Sequence, residues 1–122
     1  MLRKEQHELV TMVISVLRDA EQKDIRQIQD AYVEMKEDGT PCGFCATGYI
    51  YYQDNVDPYD LTTGEWGAGQ SAEMDHLHIL IGDGDVRSLH SLIIEMNDDE
   101  KLTFGQIADR LEKLFGLGQE IT

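Results

Sequence analysis

A chain of 122 residues with 24 acidic and 10 basic side chains, a formal charge of −14, lacks the clustered Lys and Arg that hold a phosphate backbone or an anionic membrane surface. Its length suits one domain, which at this size buries roughly two-thirds of the surface of the unfolded chain. The 41% apolar content supports a compact core of modest size. The acidity is not spread evenly. Residues 1–36 and 101–122 are close to neutral, whereas residues 37–100 hold fourteen acids against the single base Arg87. Such a block favours a cationic partner, a basic groove on another protein above all, although charge in excess also serves solubility.

Taken in chain order, the first element is a helix over about Glu5–Gln22, with Leu9, Val13, Val16, Leu17 and Ala20 on one stripe and Met12 and Ile14 widening it. Arg3 and Lys4 precede this run as in a secretory signal. However, Glu5 and Glu8 fall in the would-be basic region, and Arg18-Asp19 follows where small residues would mark a cleavage site. The run is also far short of the ~20 residues needed to span a bilayer, so the expectation is a cytoplasmic protein. A second helical stripe, Ile25, Ile28, Tyr32 and Met35, either continues the first helix or follows a bend near Lys23-Asp24, and stops at Glu37–Pro41.

Residues 44–52 read both ways: aromatic and β-branched side chains suggest a strand, while Cys45, Ala46 and Gly48 suit a closely packed helix. A long acidic loop over 53–71 follows, carrying Trp66. Residues 72–81 place Leu77, Leu80 and Ile81 at helical spacing, although His76-Leu77-His78-Ile79 also alternates. Asp85 is the expected N-cap of a helix with Val86, Leu89, Ile93 and Met96 as its stripe, ending at Asn97-Asp98-Asp99. In the last helix Thr103 and Gln106 form a capping box, Phe104, Ile107, Ala108, Leu111, Leu114 and Phe115 share a face, and Gly116 and Gly118 close it. The fold expected is mainly α: a compact single-domain helical bundle over 1–122 with a long acidic central loop and room for one short β element around 44–52.

No catalytic constellation stands out. The G-x-S-x-G elbow, H-E-x-x-H and the phosphate-binding glycine loops are all missing from the sequence. Asp54–Glu65 has the length of a calcium loop, but Val56, Pro58 and Tyr59 occupy positions that need two oxygen ligands and a glycine. Cys42 and Cys45 form a C-x-x-C pair that His76 and His78 would complete as a zinc or redox module. The simpler reading makes Cys45 a small core residue and Cys42 a loop thiol. No cofactor is expected.

The segment Pro41-Cys42-Gly43-Phe44-Cys45-Ala46-Thr47-Gly48 contains a Cys-x-x-Gly motif. An apolar stretch Leu92–Met96 ends in Asn97-Asp98, and Thr103–Glu112 is the closing amphipathic helix. In this order the motifs resemble a diffuse family of small phage and prophage proteins of unknown function, over about residues 41–117. The acidic stretch 53–71 and the extra Cys42 depart from that pattern. The resemblance implies a phage-type accessory protein and brings no catalytic residues; with no catalytic constellation in the sequence, a non-enzymatic role is expected. Joined to the acidic block, it leads to an expected host-protein inhibitor that mimics nucleic acid, with Asp54, Asp57, Asp60, Glu65, Asp83 and Asp85 imitating phosphates. Two other readings stay open: the metal or redox module, and an assembly subunit that self-associates through its first helix.

Overall fold

In the computed structural model, residues 4–63, 74, 77–81 and 85–116 are described. Helix α1 (Lys4–Gln22) buries Leu9, Val10, Val13, Ile14, Leu17 and Ala20. Its end is set by Asp24, which adopts φ 58° and so turns the chain left-handed. The Ile25 amide then reaches back to the Ala20 carbonyl (3.1 Å) and the Asp24 amide to Glu21 (3.2 Å), which satisfies the last carbonyls of the helix.

The second stripe is not a helix. From Ile25 the chain runs extended beside Phe44, with the Ile28 amide on the Phe44 carbonyl and the Phe44 amide on the Arg26 carbonyl, both at 3.0 Å. Strand β1 (Val33–Met35) then pairs antiparallel with β2 (Pro41–Phe44), with a bulge between Glu34 and Met35. Two left-handed aspartates, Asp24 and Asp30 (φ 63°), interrupt any helix across this stretch, and hydrogen bonds to distant residues replace the helical ones. Within Glu37–Pro41, expected as a helix stop, residues 37–40 form the hairpin loop and Pro41 opens β2. Gly39 supplies φ 87° and Asp38 accepts from the Thr40 amide and hydroxyl.

The ambiguity at 44–52 resolves into both states in sequence: the strand ends at Phe44 and helix α2 (Ala46–Gln53) begins two residues on. Cys45 is the N-cap, its Sγ accepting from the Gly48 amide at 3.2 Å. Six consecutive α2 residues, Ala46–Tyr51, are buried, so no single apolar stripe marks this helix in the sequence. Gly48 is required: a Cβ there would lie 1.9 Å from the Tyr32 carbonyl oxygen. Left-handed Asn55 (φ 72°) closes α2, and α3 (Pro58–Thr63) follows inside what reads as a loop, with Pro58 at its first position.

Strands β3 (His78–Ile81) and β4 (Asp85–Ser88) form a second antiparallel hairpin, so His78–Ile81 is a strand and not helical; residues 72, 73, 75 and 76 of that expected segment lie outside the described residues. This also corrects the helix cap: Asp85 lies in β4, and Ser88 caps α4 (Leu89–Asp98) by accepting from the Ser91 amide at 3.1 Å. Helix α5 (Phe104–Phe115) has the expected capping box of Thr103 and Gln106, and Gly116 ends it at φ 69°. Glu21 meets Gly105 while Arg18 meets Asp109 and Glu112, so α5 runs antiparallel to α1.

The protein is therefore mainly α, with two small hairpins among the described residues. One apolar cluster joins α1, α2, α4 and α5 with Val33, Phe44, Leu61, Met74 and Leu77. The apolar face of α1 is covered within the chain by α5 and α2. Among the described residues no helix is long and apolar enough to cross a membrane.

Candidate functional site

The polar centre of the fold is a pair of amides that neither composition nor motif announces. Asn97, fully buried in the last turn of α4, uses all four of its hydrogen-bonding positions. Its Oδ1 accepts from the Ala46 amide (2.9 Å) and from Gln27 Nε2 (2.8 Å). Its Nδ2 donates to the Ile28 carbonyl and to Asp98 Oδ1, both at 2.8 Å. Gln27 in turn donates to the Leu102 carbonyl (2.7 Å) and accepts from the Phe104 amide (2.9 Å). Two side chains thus tie the starts of α2 and α5 and the extended stretch before β1 to the end of α4. Asn97 and Asp98, where the sequence places the end of the helix, are its last two residues, and the Asn97 bonds reach other elements of the fold.

The predicted partner-binding acids divide into groups. Asp54, Asp57 and Asp60 come together on the α2–α3 corner. Asp54 is the C-cap of α2, and Asp57 precedes α3 and accepts the Tyr59 amide on its side chain at 2.8 Å. Asp60 falls in the first turn of α3, where the helix amides favour a negative charge. Buried Leu61 anchors the corner to the core, and Tyr59, 67% exposed, stands out from it. Asp85 belongs to the β3–β4 hairpin, which packs on α4, whereas α3 packs on β1. Glu65 and Asp83, and with them Trp66, lie outside the described residues.

Glu95 pairs with Arg87, and Glu100 with Arg110 at 3.3 Å. On the neutral flanks Arg26 pairs with Glu34, and Arg18 with Asp109 and Glu112 at 3.1 and 3.0 Å. Hydrogen bonding from Arg18 holds the Glu112 carboxyl below its ordinary range, and hydrogen bonds from Thr40 do the same for Asp38. A groove of about 570 Å³ runs beside this pairing, lined by His7, Thr11, Ser15, Arg18 and Glu112 among others.

Of the proposed metal or redox set, His76 lies outside the described residues and His78 opens β3. Cys42 is half-buried on β2 with Sγ 3.6 Å from Glu34 Oε1, while Cys45 is buried at the start of α2. Burial pushes the Cys45 thiol up to about 11, so it is protonated at neutral pH, as suits a thiol that caps a helix. Among the described residues no group of three or more His, Cys, Asp or Glu side chains is placed to hold a metal ion. His90, which flanks the α4 stripe, has Nδ1 3.1 Å from the hydroxyl of buried Tyr51, and Tyr32 meets its ring edge-on.

Sequence reasoning missed Gln27, the exposure of Tyr59 and the Tyr51–His90 contact. Only Asn97 carried a signal, as an amide following directly on the apolar stripe of a helix. Comparison with protein-family models, with curated proteins and with solved structures finds no match to this chain.

Proposed function

We propose that this protein is a small acidic accessory protein of phage type that acts without catalysis, by docking on the basic surface of a host protein. In its concrete form the acids stand in for the phosphates of nucleic acid and inhibit a nucleic-acid-handling or defence protein. The observation that carries the reading is the α2–α3 corner, where exposed Tyr59 stands among Asp54, Asp57 and Asp60. Aromatic side chains are frequent anchors of protein interfaces, and a surrounding field of one sign steers an oppositely charged partner into register. The corner is held in one shape by left-handed Asn55 and by the Asp57 turn, so little ordering is lost on docking.

The test is capture from bacterial lysate on the immobilised chain, followed by elution with excess duplex DNA. A nucleic-acid-handling protein should bind the wild type and be released by DNA. It should be lost from a variant carrying Asp54→Lys, Asp57→Lys and Asp60→Lys, whose circular dichroism matches that of the wild type. Equal capture by the reversed variant refutes the assignment of the corner.

A further inference from the structure

A second recognition feature lies away from that corner. A cleft of about 320 Å³ opens between the stretch before β1, the start of α2 and the outer face of α4. Asp30, Ala31, Tyr32, Cys45, Ile94 and Asp98 line it. This volume is at the low end of the roughly 300–1,000 Å³ typical of ligand pockets, which suits one extended side chain better than a bulky ligand.

The Asp98 carboxylate is held by hydrogen bonds from neutral donors. Asp98 Oδ1 accepts from Asn97 Nδ2 (2.8 Å) and from the Asp30 backbone amide (3.1 Å), which joins the two acidic segments across the cleft. Lys101 Nζ lies 3.4 Å from the backbone carbonyl of Asp98, not on its carboxylate. Among the described residues neither Asp30 nor Asp98 pairs with a Lys or Arg, in contrast to Glu34, Glu95 and Glu100 nearby in sequence. The negative charge reaches into the cleft: after burial, Asp98 is among the causes that raise the Cys45 thiol.

We propose that this cleft receives an arginine side chain of the basic protein partner, with the stem along Ile94 and Tyr32 and the guanidinium spanning Asp98 and Asp30. The proposal rests on the reading of a basic protein partner but concerns a contact separate from the α2–α3 corner. Arginine suits the site better than lysine. Its flat guanidinium stacks on an aromatic ring, is weakly hydrated, and donates in several directions to acceptors that come from two segments. A phosphate or carboxylate ligand would meet two like charges.

The experiment uses the full chain labelled with ¹⁵N and three small probes: N-acetyl-arginine amide, the lysine equivalent, and the uncharged citrulline equivalent. At low ionic strength the arginine probe should produce saturable amide shifts at Ala31, Tyr32, Ile94 and Asp98, with an affinity in the millimolar range. Citrulline amide should produce none of these shifts, and lysine amide should bind more weakly. Asp30→Asn, which keeps a residue type tolerant of the left-handed backbone, should weaken the arginine probe about fivefold. Shifts of equal size with citrulline, equal affinity for lysine, or no saturation by about 50 mM probe would each overturn the proposal. Arginine shifts confined to Asp54–Asp60 would also overturn it while leaving the corner as the docking site, and the lysate capture judges that corner independently.

Discussion

Replacing Asn97 with alanine removes both halves of the amide that organises the polar centre. The Ala46 amide and the Ile28 carbonyl lose the side-chain partner that reaches them, and Gln27 Nε2 keeps only the Leu102 carbonyl. Each buried polar group left without a partner costs about 1–3 kcal/mol. Two such groups, with a small cavity added, bring the expected loss to roughly 3–5 kcal/mol. That is a large part of the ~5–15 kcal/mol that holds a typical domain folded. Urea unfolding followed by far-ultraviolet circular dichroism measures it: with a slope of about 1.5 kcal/mol/M, the midpoint should fall by about 2 M or more. Gln27→Ala should weaken the fold less, since Asn97 keeps Ala46 and Ile28. The double variant should lose less than the sum of the two, because the amides share a bond. A midpoint shift below about 0.5 M for Asn97→Ala would show that the network does not hold the helices together.

Gly48→Ala should be more damaging than its size suggests, because the new methyl would lie 1.9 Å from the Tyr32 carbonyl oxygen and must displace that backbone. A loss of about 3 kcal/mol or more is expected, read as a fall in melting temperature, and a change within experimental scatter would refute the close approach. The two thiols should separate cleanly at pH 8. Burial raises the Cys45 thiol to about 11, so only roughly one molecule in a thousand carries the thiolate there, and the side chain is buried. A maleimide should label Cys42 alone in the native protein and both thiols in urea. Two native thiols reacting at the same rate would place Cys45 elsewhere.

The elements legible in the sequence are those whose reasons are local. The capping box of Thr103 and Gln106, the αL glycine at Gly116 and the apolar face of α5 lie within one helix, so neighbours in sequence are enough to define it. The same holds for the stripe of α1, and for the part of α4 that carries Leu89, Ile93 and Met96. Charge was legible too, because the imbalance of residues 37–100 needs only counting, and it led to Asp54, Asp57 and Asp60 as candidates. That Tyr59 stands exposed among them was not, since an aromatic residue in an acidic stretch reads equally well as a core edge.

What the sequence determined alone is thus the mainly helical class, the ends of its best helices and the sign of its net charge. The tertiary structure decided everything that depends on groups far apart in the chain. Ile25, Ile28, Tyr32 and Met35 keep a helical spacing, yet the stretch is extended, because its amides and carbonyls find Phe44 and Asn97. Residues 46–51 form a helix without a stripe, because the surrounding elements bury every side of it. The cleft between Asp30 and Asp98 joins residues 68 positions apart, where the Asp98 carboxylate accepts the Asp30 backbone amide. Local patterns record the preference of a segment for one backbone shape. They carry no record of which distant donor will meet which acceptor, and in this fold that pairing set the hairpins, the polar centre and the cleft.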